Sequence, residues 1–486
     1  MFNYPALIRL ICLYLFLNFS CFTIVCAQSA TCNCRGTLNE LIVKVQNNYP
    51  GYPIKITTVN EDGFKKFTDS LKRSADTANF TSCFHILQAW TGYFKDKHLV
   101  LALREGTNDI NLIRSIFENT YSFPIMKDSL LKKWEKAPDS PLEGIWNTGG
   151  LYEVAVIKKN NRYLGVITKG DDIFWTPGQI KFELQQETEF NWKVIFYNRY
   201  HQADTFSTYI DEYSSFLDLK SSKWEKTYPA LSHSITIIPA DSFYCSKPDS
   251  NNIVLRLPSF DLKYKPLIDS LIKTNFNAIT HTPHLIIDVR GNMGGFNLSF
   301  EKLLPIIYTD TIVNPGAYIM ATDDNIKLYE DLLKNDQYPK ENKNLIIKLI
   351  KNLKKYRNGY YLTAEDITTY PKIQPYPSKV GILMDEGSGS ATEFLILAAK
   401  QSKKVTLFGK RSTGAVDYLN LVSPRPMSCS QYLLWCPTAR SARLPQHPID
   451  NTGIIPDVEI PNQVNWINFV QQYLAKQDKT IATSSK

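Results

Sequence analysis

An α/β fold is predicted for this chain from three observations. From residue 252 onward, apolar runs of strand length alternate with helix-length segments, the pattern of a sheet crossed by helices. Two of those runs end in turns of small residues: 285–289 leads into Gly291-Asn292-Met293-Gly294-Gly295, and 380–384 leads into Gly387-Ser388-Gly389-Ser390. Upstream, residues 141–240 change to short alternating strands separated by turn residues, so an all-β module is expected before the core.

Taken in order, residues 1–27 read as a secretory signal. Arg9 is the only charge before the apolar run 10–25, and Val25-Cys26-Ala27 suits cleavage after Ala27. The run is also long enough for a retained anchor, while the Phe19-Ser20 context of Cys21 and Val25 before Cys26 fit a lipoprotein site poorly. Residues 28–140 form a mainly helical region. Leu38, Leu41, Ile42 and Val45 recur at helical spacing, as do Ile86, Leu87, Trp90 and Phe94, and 99–103 reads as a strand. The module at 141–240 has strands at 152–157, 163–167, 180–184, 192–197 and 205–210 and closes as a barrel or a sandwich; a docking or spacer role is expected of it. The core, 241–475, opens with a strand at 254–257, a helix at 262–275, the strand 285–289 and a helix at 298–307. Residues 310–378 are read as a mostly helical cap, with an amphipathic basic helix at 340–355. The strand 380–384, a helix at 391–400 and the strand 405–409 follow, and 476–486 is a polar tail.

The chain has 486 residues, 43% of them hydrophobic and 21% charged, with net charge +8. That composition supports a sizeable folded core. Signal removal takes only Arg9 and leaves +7, with the lysines scattered, so no nucleic-acid partner is expected. No membrane span is expected after signal removal. The mature cysteines are Cys32, Cys34, Cys83, Cys245, Cys429 and Cys436. Export permits disulfides, and Cys429 with Cys436 is spaced to bridge a hairpin. They form no paired C-x-x-C clusters with nearby histidines, so zinc is not expected; no other metal or cofactor is expected either.

The chemistry centres on Ser390. A helix beginning just after it places the hydroxyl at a helix N-terminus, where free N–H groups and the helix dipole favour developing negative charge. The plain alternative is a helix cap. Acyl transfer needs a nucleophile, a base, a group orienting the base and N–H donors for the oxyanion. Ser390 supplies the first, and the Ala391 N–H at the helix start supplies a donor. The loop carrying Gly294 and Gly295 supplies another, because adjacent glycines let backbone approach a ligand closely. Asp288 and Arg290 are expected to brace that loop.

Four segments in this order, LIIDVRGNMGG (285–295), VGILMDEGSGSATEF (380–394), LFGKRSTG (407–414) and IDNTGIIPDV (449–458), resemble the S41 peptidase family, the tail-specific and tricorn-core type proteases. The resemblance covers roughly 80–105 and 250–465. It implies a crotonase-like β–β–α superhelix core, a peptide or protein substrate, and Ser390 as nucleophile, with Glu393 as the segment's structural acid. In the Ser–Lys branch of the family a lysine stands where this chain has Ala415, and Lys410 lies before the turn, so that dyad is not expected. The tricorn and retinoid-binding-protein-like branch carries a histidine in a D-x-H segment, matched by Asp96-Lys97-His98. His98 is therefore the expected base, with His447 as substitute, and Asp450 the expected acid of the charge network. Lys97 stands where that branch has serine, and Asp450 where it has glutamate. A neutral imidazole suits the role, its tautomer held by a carboxylate. No PDZ-like pattern is present, and Arg440 and Arg443 are expected to be structural. The expected activity is that of an exported serine endopeptidase, periplasmic, cell-envelope or extracellular. The rival is a non-catalytic binding protein of the same scaffold for a peptide, glycan or lipid.

Overall fold

The computed structural model describes residues 32–484 except 105–109, 119, 136–137, 188–190, 211–215, 220–221, 230–241, 335–339 and 462–463. The signal-like segment and His233 lie outside the described residues.

The core is a six-stranded sheet in the order Tyr244–Ser246, Asn252–Arg256, His284–Asp288, Lys379–Met384, Val405–Gly409, Val458–Glu459. The first pair is antiparallel and the other four are parallel. Parallel strands must be covered on both faces, which is why 285–287 and 380–384 are near-continuous apolar runs. Ile253, Leu285, Ile287 and Ile382 point into one buried cluster, beneath the helices Lys265–Ile279 and Ala391–Ala399. Val254, Ile286 and Leu383 point the other way, onto Val470 and Leu474 of the C-terminal helix Trp466–Ser484. Each fully buried aliphatic side chain contributes about 1.5–3 kcal/mol.

The eight strands from Gly144–Thr148 to Ser222–Tyr228 form one antiparallel sheet. Successive strands pair from the first through Ala203–Tyr209. Ser222–Tyr228 then returns beside Gly144–Thr148, with Phe216–Leu219 outside it. The two end strands of that order also approach each other, without a hydrogen-bonded ladder between them among the described residues, so the module curls into an incompletely closed barrel. Alternation sends Trp146, Val154, Phe182, Trp192 and Trp224 into the large cluster shared with the N-terminal helices. Ile145, Ala155, Leu164 and Val166 face Trp134 of the helix Lys127–Trp134 instead.

Two expectations are corrected. The segment 310–378 is not mostly helical. It holds the helices Asp323–Leu332 and Lys340–Lys355, but also four short strands. Ala317–Met320 pairs with Ala439–Ser441, because the apolar face of Ile319 is buried with Ala439 against the two helices. Cys429 does not bridge Cys436. It pairs with Cys32, while Cys34 pairs with Cys83, and Cys436 is a buried free thiol. The Cys32–Cys429 bond ties the N-terminal helices to the far end of the core. The strand Val100–Leu103 makes the same connection by pairing antiparallel with Tyr432–Trp435.

Candidate active site

The turn at Ser390 is set by backbone strain. Ser390 adopts φ 53° and ψ −119°, a conformation L-residues avoid, at the junction of the strand Lys379–Met384 and the helix Ala391–Ala399. Such a turn costs on the order of 1–3 kcal/mol and persists only where its surroundings hold it. Glu393 is the main hold. Fully buried, its carboxylate accepts the Ser390 N–H at 3.0 Å, the Gly414 N–H at 2.7 Å, the Ala415 N–H at 2.9 Å and the Ser412 hydroxyl. One buried carboxylate thus ties the serine turn to the 412–415 loop, and Ala415 packs beside it as a buried methyl. Ser388 fastens the same turn to the glycine loop, its hydroxyl donating to the Val289 carbonyl at 2.9 Å.

The glycine loop meets the serine turn at Gly294. A Cβ there would lie 2.6 Å from Gly389 O, 2.7 Å from Ala391 N and 2.8 Å from Ser390 Cβ, and φ is +97°. Only glycine fits, and its bare Cα keeps open the space before the Ala391 N–H. Among the described residues that N–H has no hydrogen-bond acceptor. The Gly294 N–H does have one, Asn292 Oδ1 at 2.9 Å, so Gly294 provides space at the serine while its donor is satisfied. Gly295 packs on Phe260, where a Cβ would come 2.3 Å from the carbonyl oxygen. Behind the loop, buried Asp288 is bonded by Arg290 at 2.7 and 2.8 Å and faces Arg256. The two guanidinium groups outweigh its burial and hold its carboxyl well below the usual range.

His98 arrives from the N-terminal region, in the turn between the helix Phe80–Gly92 and the strand Val100–Leu103. Asp96 shapes that turn, accepting the His98 N–H at 2.8 Å and the Tyr49 hydroxyl at 2.5 Å. His98 Nδ1 lies 2.8 Å from the Tyr418 carbonyl. A carbonyl only accepts, so Nδ1 carries the proton and Nε2 of the neutral ring keeps its lone pair. Adjacent Lys97 donates its Nζ to the Thr413 carbonyl, and Thr413 N donates to Ser388 O at 2.8 Å. The His98 turn and the Ser390 turn are therefore joined through Thr413. Among the described residues no hydrogen bond links Ser390 to His98.

Asp450 sits one step behind the histidine. Its Oδ1 accepts the N–H groups of Val416 and Asp417, both at 2.8 Å, and Asp417 Oδ2 accepts those of Ile449 and Asp450, also at 2.8 Å. Each carboxylate pins the other's backbone, and the pinned segment runs straight into Tyr418. The group that fixes the His98 tautomer is thus a backbone carbonyl, with Asp450 setting the segment that carries it. Burial first, then Asp96, pushes the Asp450 carboxyl up to about 7. Lys55, donating to the Phe94 carbonyl at 2.7 Å, lies over the Tyr418 ring with its ammonium destabilised by burial.

The remaining charged candidates already have partners, Arg443 within the Asp450–Asp417 network itself. Lys410 pairs with Glu459 at 2.6 Å, Arg443 bonds Asp417 at 3.2 Å, and Arg440 stacks on Tyr318. His447 is exposed. Sequence reasoning missed Tyr418, Asn292 and Asp417. The first acts through its main chain and carries no side-chain signature. The other two stand in loops where a polar residue is unremarkable.

Residues 253–460 match the model of peptidase family S41. No curated protein matches the chain in sequence. Among solved structures, mature CPAF complexed with lactacystin is similar at 13% identity and TM-score 0.50, covering 93% of this chain and 98% of that one. A substituted form of CPAF is similar at 13% identity and TM-score 0.50, over 93% and 97%. At this identity the likeness is one of fold.

Proposed function

From the match of residues 253–460 to the model of peptidase family S41, we propose that this chain is an exported serine endopeptidase working through an acyl-enzyme on Ser390. The reading rests on one observation above the rest. A non-glycine residue is held at φ 53° at a helix start, where Gly294 leaves space before an unpaired N–H. This is the kind of strained strand-to-helix turn that presents a nucleophile, and a cap alone has no need of it.

In this proposal Ser390 Oγ attacks the scissile carbonyl while His98 Nε2 takes its proton. The developing oxyanion faces the Ala391 N–H at the positive end of the helix dipole. His98 then returns the proton to the leaving amine, and water activated the same way releases the acyl group. Asp450 is a positioning residue, holding the segment that offers the Tyr418 carbonyl to His98. The histidine from the N-terminal region favours the tricorn-like branch of the family, since buried Ala415 supplies no lysine base.

The test is labelling of the mature chain with a fluorophosphonate probe, mapped by mass spectrometry. One label at Ser390, and loss of at least about 10⁴-fold of peptide hydrolysis in Ser390→Ala with an unchanged melting temperature, are expected. Full hydrolysis by pure Ser390→Ala protein would sink the proposal.

A further inference from the structure

The barrel and the N-terminal helices flank an open cavity whose lining residues take no part in the proposed chemistry. It measures about 430 Å³ and lies between the helix Phe80–Gly92 and the barrel. His85 and Gln88 line one side, and Tyr121, Tyr197, Tyr200 and His201 the other. The volume is within the range of small-ligand sites.

Three features define what it would accept. First, among the described residues that line it there is no lysine, arginine, aspartate or glutamate; Lys181 lies behind the wall, its Nζ donating to the Tyr197 carbonyl. His201 stays neutral, burial pushing it down to about 4. Second, the walls are aromatic and rigid. The His201 ring lies 3.8 Å from Trp175, with an interplanar angle of 10°, and 4.7 Å from Phe117. Its Nε2 donates to the Phe174 carbonyl at 2.7 Å, leaving Nδ1 as an acceptor. Tyr121, 73% exposed, stands beside Tyr197 with ring centroids 6.1 Å apart. Third, Gln88 is only 9% exposed as a residue, and among the described residues no hydrogen bond is made by its carboxamide. Its polar atoms are not sealed from solvent, so they are available to a ligand offering both donor and acceptor groups.

We propose that this cavity is a binding site for a neutral saccharide. The C–H face of a sugar ring packs on tyrosine, and vicinal hydroxyls match the paired donor and acceptor of a carboxamide and the lone pair of a neutral imidazole. An extended peptide fits less well. The strand Ile180–Gln186 is hydrogen-bonded on both sides, to Arg162–Lys169 and to Asn191–Tyr197, so the cavity offers no free edge for strand addition. An anionic ligand finds no cation. The helix carrying Gln88 continues into the turn carrying His98, so an occupied cavity would brace the same helix that positions the proposed base.

The experiment is isothermal titration of the full mature chain bearing Ser390→Ala, which keeps the site independent of turnover. The probes are cellotetraose, maltotetraose and the tetramer of N-acetylglucosamine, against tetra-alanine blocked at both ends. One saccharide binding one-to-one, with Kd between roughly 1 μM and 1 mM, is expected. Gln88→Leu and Tyr121→Ala should each weaken it about tenfold. Tyr121 is exposed, so that variant tests the site even where Gln88→Leu fails to fold. No saccharide binding up to about 10 mM, binding of the blocked peptide instead, or saccharide binding indifferent to Tyr121→Ala would overturn the proposal.

Discussion

The first hairpin of the barrel and the loops at the ends of the core strands use positive-φ glycines differently. In the barrel, Gly149 and Gly150 take positive φ at a hairpin between Gly144–Thr148 and Tyr152–Lys159, and a Cβ on either would meet nothing within 4 Å. In the core, Gly294, Gly414 and Gly453 also take positive φ, but each lies against backbone of another loop. A Cβ on Gly414 would reach Ile449 O at 2.6 Å, and one on Gly453 would reach Ser412 O at 2.2 Å. Gly149 and Gly150 turn one chain segment, whereas Gly294, Gly414 and Gly453 let separate loops touch. Loops converging at the ends of parallel strands are where a multi-part site can be assembled, whereas a barrel of sequential hairpins fills itself with its own tryptophans.

The largest test of that contrast is a matched pair of substitutions. Gly294→Ala should lose at least about 10²-fold in kcat, because the new methyl fills the space before Ala391 N. Gly149→Ala, with the same backbone sign but open space, should cost about 1 kcal/mol in denaturant melts and leave peptide hydrolysis unchanged. Equal losses of activity in the two variants would show that backbone strain alone is responsible.

The next effect concerns the joint between the regions. The Cys32–Cys429 bond closes a separation of 397 residues. Replacing both cysteines by serine should lower stability by about 2–5 kcal/mol in equilibrium unfolding. It should also loosen the His98 turn before the barrel melts, measurable by hydrogen exchange at residues 95–103. Uniform loss of protection across the chain would mean that core and N-terminal region unfold as one unit.

The smallest effect is one of pH. Asp450 has its carboxyl raised to about 7 in the folded chain. A raised carboxylate contributes stability that is full below its ordinary value, 3.8, and that is lost as pH rises through about 7. Asp450→Asn mimics the protonated form and keeps an oxygen for the Val416 and Asp417 N–H groups. Its melting temperature should therefore approach the parent's only below about pH 3.8, and exceed it by a margin that grows up to about pH 7 and then levels off. A gap of constant size between the two would remove Asp450 from the titration.

Much of the architecture was legible beforehand because it is written in side-chain periodicity. The apolar run ending at Met384 had to be a covered strand, and the alternation from Tyr152 onward had to be antiparallel sheet. The segment 310–378 reads as helix because short strands such as Ala317–Met320 have no periodicity of their own. They exist because Ala439–Ser441, more than a hundred residues on, offers them an edge. The cysteine pairing failed for a related reason: Cys436 is near Cys429 in sequence, but Cys32 is the one brought to it by packing.

By itself the sequence determined the serine turn, the glycine loop facing it and the covered strands that present them, since small residues and apolar runs dictate backbone shape locally. It also singled out His98 and Asp450. Only the tertiary structure decided what holds them: Tyr418's carbonyl on His98, backbone N–H groups on Asp450, and Asn292 on the Gly294 N–H. Every residue carries the same main-chain donor and acceptor, so which of them meets a given side chain is fixed by packing and leaves no mark on the order of the amino acids.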